Sequence, residues 1–134
     1  MKNFGWNKSM ELGVVEIDIQ HRIIVNIINM LEDTIEMKTY KSQFNFMITE
    51  IEKFLLYHFA TEEKLFNEYE YESSDHIASH SDILEKIIAY KRVRPSEKYV
   101  REVISELKNH VHEHSLTIDK IFTDFMLAKI AARN

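Results

Sequence analysis

Residues able to hold a metal interrupt apolar helix faces at regular intervals in this chain. In HFATEE (58–63), His58 and Glu62 stand one helical turn apart, on the stripe of Met47, Ile51, Leu55, Leu65 and Tyr69. In DHIASH (75–80), His76 and His80 repeat the spacing ahead of Ile83 and Ile87. His21 shares the face of Ile24, Ile28, Leu31 and Ile35. His114 falls in a stripe running through Tyr99, Val103, Leu107, Val111, Ile118, Ile121 and Phe125. Asp119 lies five residues after His114, about 140° round an ideal helix. For Asp119 to join the others, the ligand pocket must be wide or the helix must carry a π-bulge.

Taken singly, a histidine on an apolar face is usually a hydrogen-bonded core residue. The set is different, because burying five imidazoles and a carboxylate without a metal leaves several polar atoms unsatisfied, at roughly 1–3 kcal/mol each. Seven nitrogen and oxygen donors exceed the four that a structural zinc ion takes. They suit two adjacent six-coordinate ions, with carboxylates between them offsetting the charge. Iron is the expected metal, and nitrogen and oxygen donors leave manganese open. The chain has no cysteine, which excludes disulfides, thiolate sites and cysteine-ligated iron–sulfur clusters. None of the seven histidines is preceded at the third position by Glu, so the carboxylate-rich di-iron pattern of ferritin-like proteins is absent.

These residues need long helices to position them. With two Gly and one Pro in 134 residues, and 45% hydrophobic composition, the chain favours few, long helices around one core. Four are expected, beginning near Asp18, Ser42, Ser73 or Ser74, and Pro95. The short connections between them make an all-α, up-down-up-down four-helix bundle. The expected organisation is a single domain over 1–134, with an extended N-terminal arm to about residue 17 and a bundle over about 18–131. Trp6 of the arm is available to pack against the bundle. Counting along the helices places His21 and His58 level, each roughly 25 Å from the first turn. Glu62 and His80 are level across the second. His114 stands roughly 9 Å farther from the third turn than His80 does. Either the fourth helix starts below its neighbour, or its start lies several residues from Pro95.

The net charge of −5 argues against a general nucleic-acid binder. MKNFGWNKSM lacks the apolar core of a signal peptide, and IIVNIINML is too short to span a membrane, so a cytoplasmic protein is expected.

A tryptophan followed by LGVVEIDIQH, HFATEE, HIASH and HEHSLTIDKIF resembles the hemerythrins, above all bacterial single-domain ones, from about Trp6 to Phe125. The resemblance implies two iron ions joined by an oxo or hydroxo group. His76, His80 and His114 would bind one iron, His21 and His58 the other, and Glu62 and Asp119 would bridge them. The two-histidine iron would keep an open position for dioxygen, bound reversibly for storage, delivery or sensing, with a separate delivery or redox partner. An enzyme acting on peroxide or nitric oxide, or an iron-storage or donor protein, are the alternatives on the same scaffold. The chain departs from the family at Ser115, where Ile or Leu is common, and at His110, where an aromatic is common. With Val111, these two are the expected residues of the ligand pocket.

Overall fold

The computed structural model describes residues 5–133. Its helices are α1 (Val15–Glu36), α2 (Tyr40–Glu68), α3 (Ser74–Tyr90), α4 (Glu97–His114) and α5 (Lys120–Arg133). The last two are one rod, joined by a π-helical turn over Ser115–Asp119. The result is an all-α bundle of four rods, with no strand among the described residues.

The arm departs from a purely extended strand. Lys8–Met10 form a 3-10 turn capped by Asn7, and α1 starts at Val15, three residues ahead of Asp18. Asp18 lies inside the first turn. Its carboxylate accepts from the backbone N–H groups of Leu12 (2.8 Å) and Gly13 (3.1 Å), fastening the incoming chain. Gly13 has φ +91°, a conformation that a side chain would strain. Trp6 packs against the bundle, 6.2 Å from the His21 ring and beneath the Arg22 guanidinium. Residues 1–4 of the expected arm lie outside the described residues.

None of the three turns between the rods contains glycine, and two of them place an ordinary residue at positive φ. After α1, Thr39 N–H donates to Thr34 C=O (2.9 Å) and Lys38 takes φ +58°. After α2, Tyr71 N–H donates to Phe66 C=O (2.9 Å) and Glu70 takes φ +55°. Both are Schellman closures with an ordinary side chain at the left-handed position that usually holds Gly. At the third turn Ser96 caps α4, accepting from Tyr99 N–H (3.1 Å) just after Pro95. Tyr90, the last residue of α3, donates to Glu106, nine residues into α4. The fourth rod therefore starts below its neighbour, which removes the mismatch in height between His80 and His114.

The interior has three layers. A large apolar cluster runs from Ile24 and Phe59 down to Phe44, Ile87 and Val100. A small one, with Ile17, Phe66, Phe122 and Met126, closes the other end. The metal-capable residues sit between the two, as His21 does between Ile17 and Ile24 on α1, and Glu62 between Phe59 and Phe66 on α2. The apolar stripe departs from helical counting at two places. Near the end of α2, Phe66 is fully buried and Leu65 only partly. Past the π-turn the buried residues are Phe122 and Met126, while Ile121 is 62% exposed and Ile118 and Phe125 are half-buried. The turn inserts one residue, so the face advances by one position.

Candidate metal centre

α1 supplies His21, α2 His58 and Glu62, α3 His76 and His80, and the fourth rod His114 and Asp119. All seven are brought together, and none is more than 7% exposed. Asp119 stands in the middle. Its Oδ1 lies 2.8 Å from His76 Nε2 and 3.0 Å from His114 Nε2, and its Oδ2 is 3.0 Å from His21 Nε2. Glu62 Oε1 lies 3.0 Å from His80 Nε2, 3.4 Å from His58 Nε2 and 3.7 Å from His76 Nε2. The π-turn makes the Asp119 contacts possible, because i to i+5 closure brings His114 and Asp119 to one face.

The donor atoms fall into two metal-capable groups, with all atoms in each within 4.8 Å of one another. One comprises Glu62, His76, His80, His114 and Asp119; the other His21, His58 and Asp119. Several of these atoms are in close company yet poorly aligned for hydrogen bonds. Glu62 Oε2, Asp119 Oδ2 and His114 Nε2 are buried without a hydrogen-bond partner among the described residues. Short separations without hydrogen-bond alignment are what lone pairs produce when they aim at a shared centre rather than at one another. The residues fit a metal.

Their electrostatics agree. Burial pushes His58 down to about 3, helped by neighbouring His21, and burial with His76 and His114 does the same to His80. Both imidazoles are neutral near neutral pH and keep a lone pair to donate. Burial, then the Asp119 charge, holds the Glu62 carboxyl well above the usual carboxylate range. Burial also opposes ionisation of Asp119, but the imidazoles of His114, His21 and His76 overcome it and hold that carboxyl well below its ordinary value.

An outer layer orients the donors. His58 Nδ1 donates to Gln20 Oε1 (2.7 Å), which turns the Nε2 lone pair inward, and Gln20 Nε2 donates to Thr61 Oγ1 (3.1 Å). Ser79 Oγ lies 2.9 Å from His114 Nδ1, and Ser115 Oγ lies 3.5 Å from His21 Nδ1. Phe59 stacks on His80 at 3.8 Å. Gln20, Thr61 and Ser79 were missed in the sequence. Gln20 had a signal, being a polar residue one turn before Ile24 on the buried stripe; Thr61 and Ser79 lie off their stripes.

Beside His21 and His58 lies a cavity of about 20 Å³, walled by Ile24, Leu55, Phe59, His110, Val111 and Ser115. A water-sized body needs roughly 10–15 Å³, so the space holds one very small molecule. The His110 ring stacks on His114, with centroids 5.0 Å apart, and burial lowers its pKa to about 4. His112 is exposed and outside the site.

Fold and site together define a helical-bundle protein that presents buried histidines and two buried carboxylates to metal. The hemerythrin HHE cation-binding domain model matches residues 12–123, and the chain belongs to the hemerythrin family. It is similar to the bacteriohemerythrin of Clostridium acetobutylicum, 24% identical over 90% of this chain and 99% of that protein. It is also similar to the bacteriohemerythrin of Pseudomonas paraeruginosa, 28% identical over 92% of this chain and 82% of that protein. No solved structure gives a significant match. No helix among the described residues is long and apolar enough to cross a membrane.

Proposed function

We propose that this chain is a reversible dioxygen-binding protein with two iron ions, acting in oxygen storage, delivery or sensing. His76, His80 and His114 would hold one iron and His21 and His58 the other, with Glu62 and Asp119 supplying the carboxylate donors. When bound, the pair supplies the electrons that dioxygen needs to be held reversibly. The observation that carries the reading is the division of the donors into a three-histidine and a two-histidine group that share Asp119. The side with fewer donors is also the side with the cavity.

The chain's own residues explain why binding can be reversible. Five imidazoles and two carboxylates stabilise oxidised metal less than a carboxylate-rich set. The walls of Ile24, Leu55, Phe59 and Val111 slow the arrival of water and protons that would expel a reduced product. Gln20 and Ser79 keep the donors aimed. Metal analysis with aerobic and anaerobic absorption spectra tests the proposal. The expected result is about two irons per chain and an oxygen-dependent charge-transfer band that deoxygenation reverses.

One observation favours a second reading, an enzyme that reduces peroxide or nitric oxide. Ser115 puts a hydroxyl in the wall of an otherwise largely apolar cavity, where it can supply a proton. Under that reading Ser115→Ile slows autoxidation of the dioxygen-loaded protein severalfold. Equal rates in the two proteins remove the argument for Ser115.

A further inference from the structure

Outside the bundle, between α3 and α4, runs an open groove of about 370 Å³ bordered by Lys86, Glu106 and Glu113. Among the described residues, only the side chains of His110 and His114 border both this groove and the inner cavity. His114 is pinned, since its Nδ1 meets Ser79 Oγ at 2.9 Å and its Nε2 faces Asp119 at 3.0 Å. His110 is half-buried, and its ring makes no hydrogen bond among the described residues. Of the two rings separating solvent from the cavity, one can turn without breaking a polar contact.

We propose that the His110 imidazole is a movable partition through which a small uncharged ligand passes from the α3–α4 groove into the cavity beside His21 and His58. Cavity size sets the ligand class, because about 20 Å³ accepts a diatomic molecule and little more. The groove's mixed charges offer no field that would concentrate an anion, so the passage favours neutral gases. The inference rests on the di-iron reading for the identity of the ligand, but the partition itself is a property of the chain.

A partition alters entry and exit alike and leaves the equilibrium unchanged. The test is stopped-flow binding of nitric oxide to the full chain loaded with iron(II), in the unsubstituted protein, His110→Ala and His110→Phe. Removing the ring should raise both association and dissociation rates roughly tenfold, the equivalent of about 1.4 kcal/mol of barrier. Phe should lower both. Equal rates in all three proteins overturn the gate, as does a change in dissociation alone, which would make His110 a contact of the bound ligand. Unsubstituted protein that takes up no iron or forms no adduct counts against the di-iron reading instead. A second measurement reads the partition without using the metal, namely deuterium exchange at the imidazole C2–H positions by mass spectrometry. His58 should exchange faster in His110→Ala and not in His110→Phe; an unchanged His58 in His110→Ala overturns the proposal.

Discussion

At Glu62, a purely structural role and a metal-binding role predict opposite outcomes. Burial and the neighbouring Asp119 favour the neutral form of its carboxyl when no metal is present. Glu62→Gln supplies a permanently neutral side chain of the same shape, so the metal-free protein should melt within about 1 kcal/mol of the parent, or slightly higher. The same substitution removes a charged donor, and the iron held per chain should fall clearly below that of the parent. Metal analysis beside thermal melts checks both halves; an unchanged iron content contradicts the assignment of Glu62. Gln20 acts one step further out, since it touches His58 rather than the centre. Gln20→Leu should weaken metal binding by roughly 10- to 100-fold, as lost outer-layer partners do, and leave the bundle folded. Competition against a chelator reads that change, and equal affinity would show that the hydrogen bond orients nothing of consequence.

Among the elements, the π-turn at Ser115–Asp119 matters most. Five-residue spacing from His114 to Asp119 made Asp119 look misplaced by ideal helical counting, and the turn resolves it by adding a residue. The histidine stripes, the rod order and the antiparallel arrangement were legible because each depends on local periodicity or on short connections. The face beyond residue 119 was not, because periodicity assumes an unbroken 3.6-residue repeat. Ile121 is exposed and Phe122 buried for that reason. The turns were expected where they fall, but how they close was not legible: Lys38 and Glu70 occupy left-handed positions that sequence patterns associate with Gly. An ordinary side chain there is strained by about 1–2 kcal/mol. Lys38→Gly should therefore stabilise the protein, by about 0.5–1 kcal/mol once the extra freedom of the unfolded chain is counted. Denaturant melts measure it, and a loss of stability would mean that the Lys38 side chain contributes more than its backbone conformation costs.

For the molecule as a whole, the polar layer between two apolar clusters weakens the metal-free fold in acid. His58 and His80 titrate near 3 and His110 near 4 when folded, against about 6.5 when unfolded. Between those values the unfolded chain binds more protons, so the stability these residues contribute is lost as pH falls from about 6.5. Glu62, whose folded value is raised, acts in the opposite sense above about 4.5, but one carboxyl is outweighed by three imidazoles. Melting temperatures of the metal-free protein should decline from pH 6.5 toward pH 4, and a flat profile would contradict the burial of neutral imidazoles. Metal release in acid should accompany loss of the fold, because imidazoles freed from burial take up protons near 6.5. That His21 lies level with His58, and Glu62 with His80, could be read by counting along their helices. The outer hydrogen bonds of Thr61 and Ser79 could not, since they depend on how neighbouring rods rotate. The most direct test of the two-iron centre is anomalous diffraction at the iron edge from crystals of the loaded protein. Two peaks within about 4 Å of each other, one beside His76, His80 and His114 and one beside His21 and His58, are the predicted result. A lone peak ringed by all seven side chains, or peaks at the surface only, would contradict it.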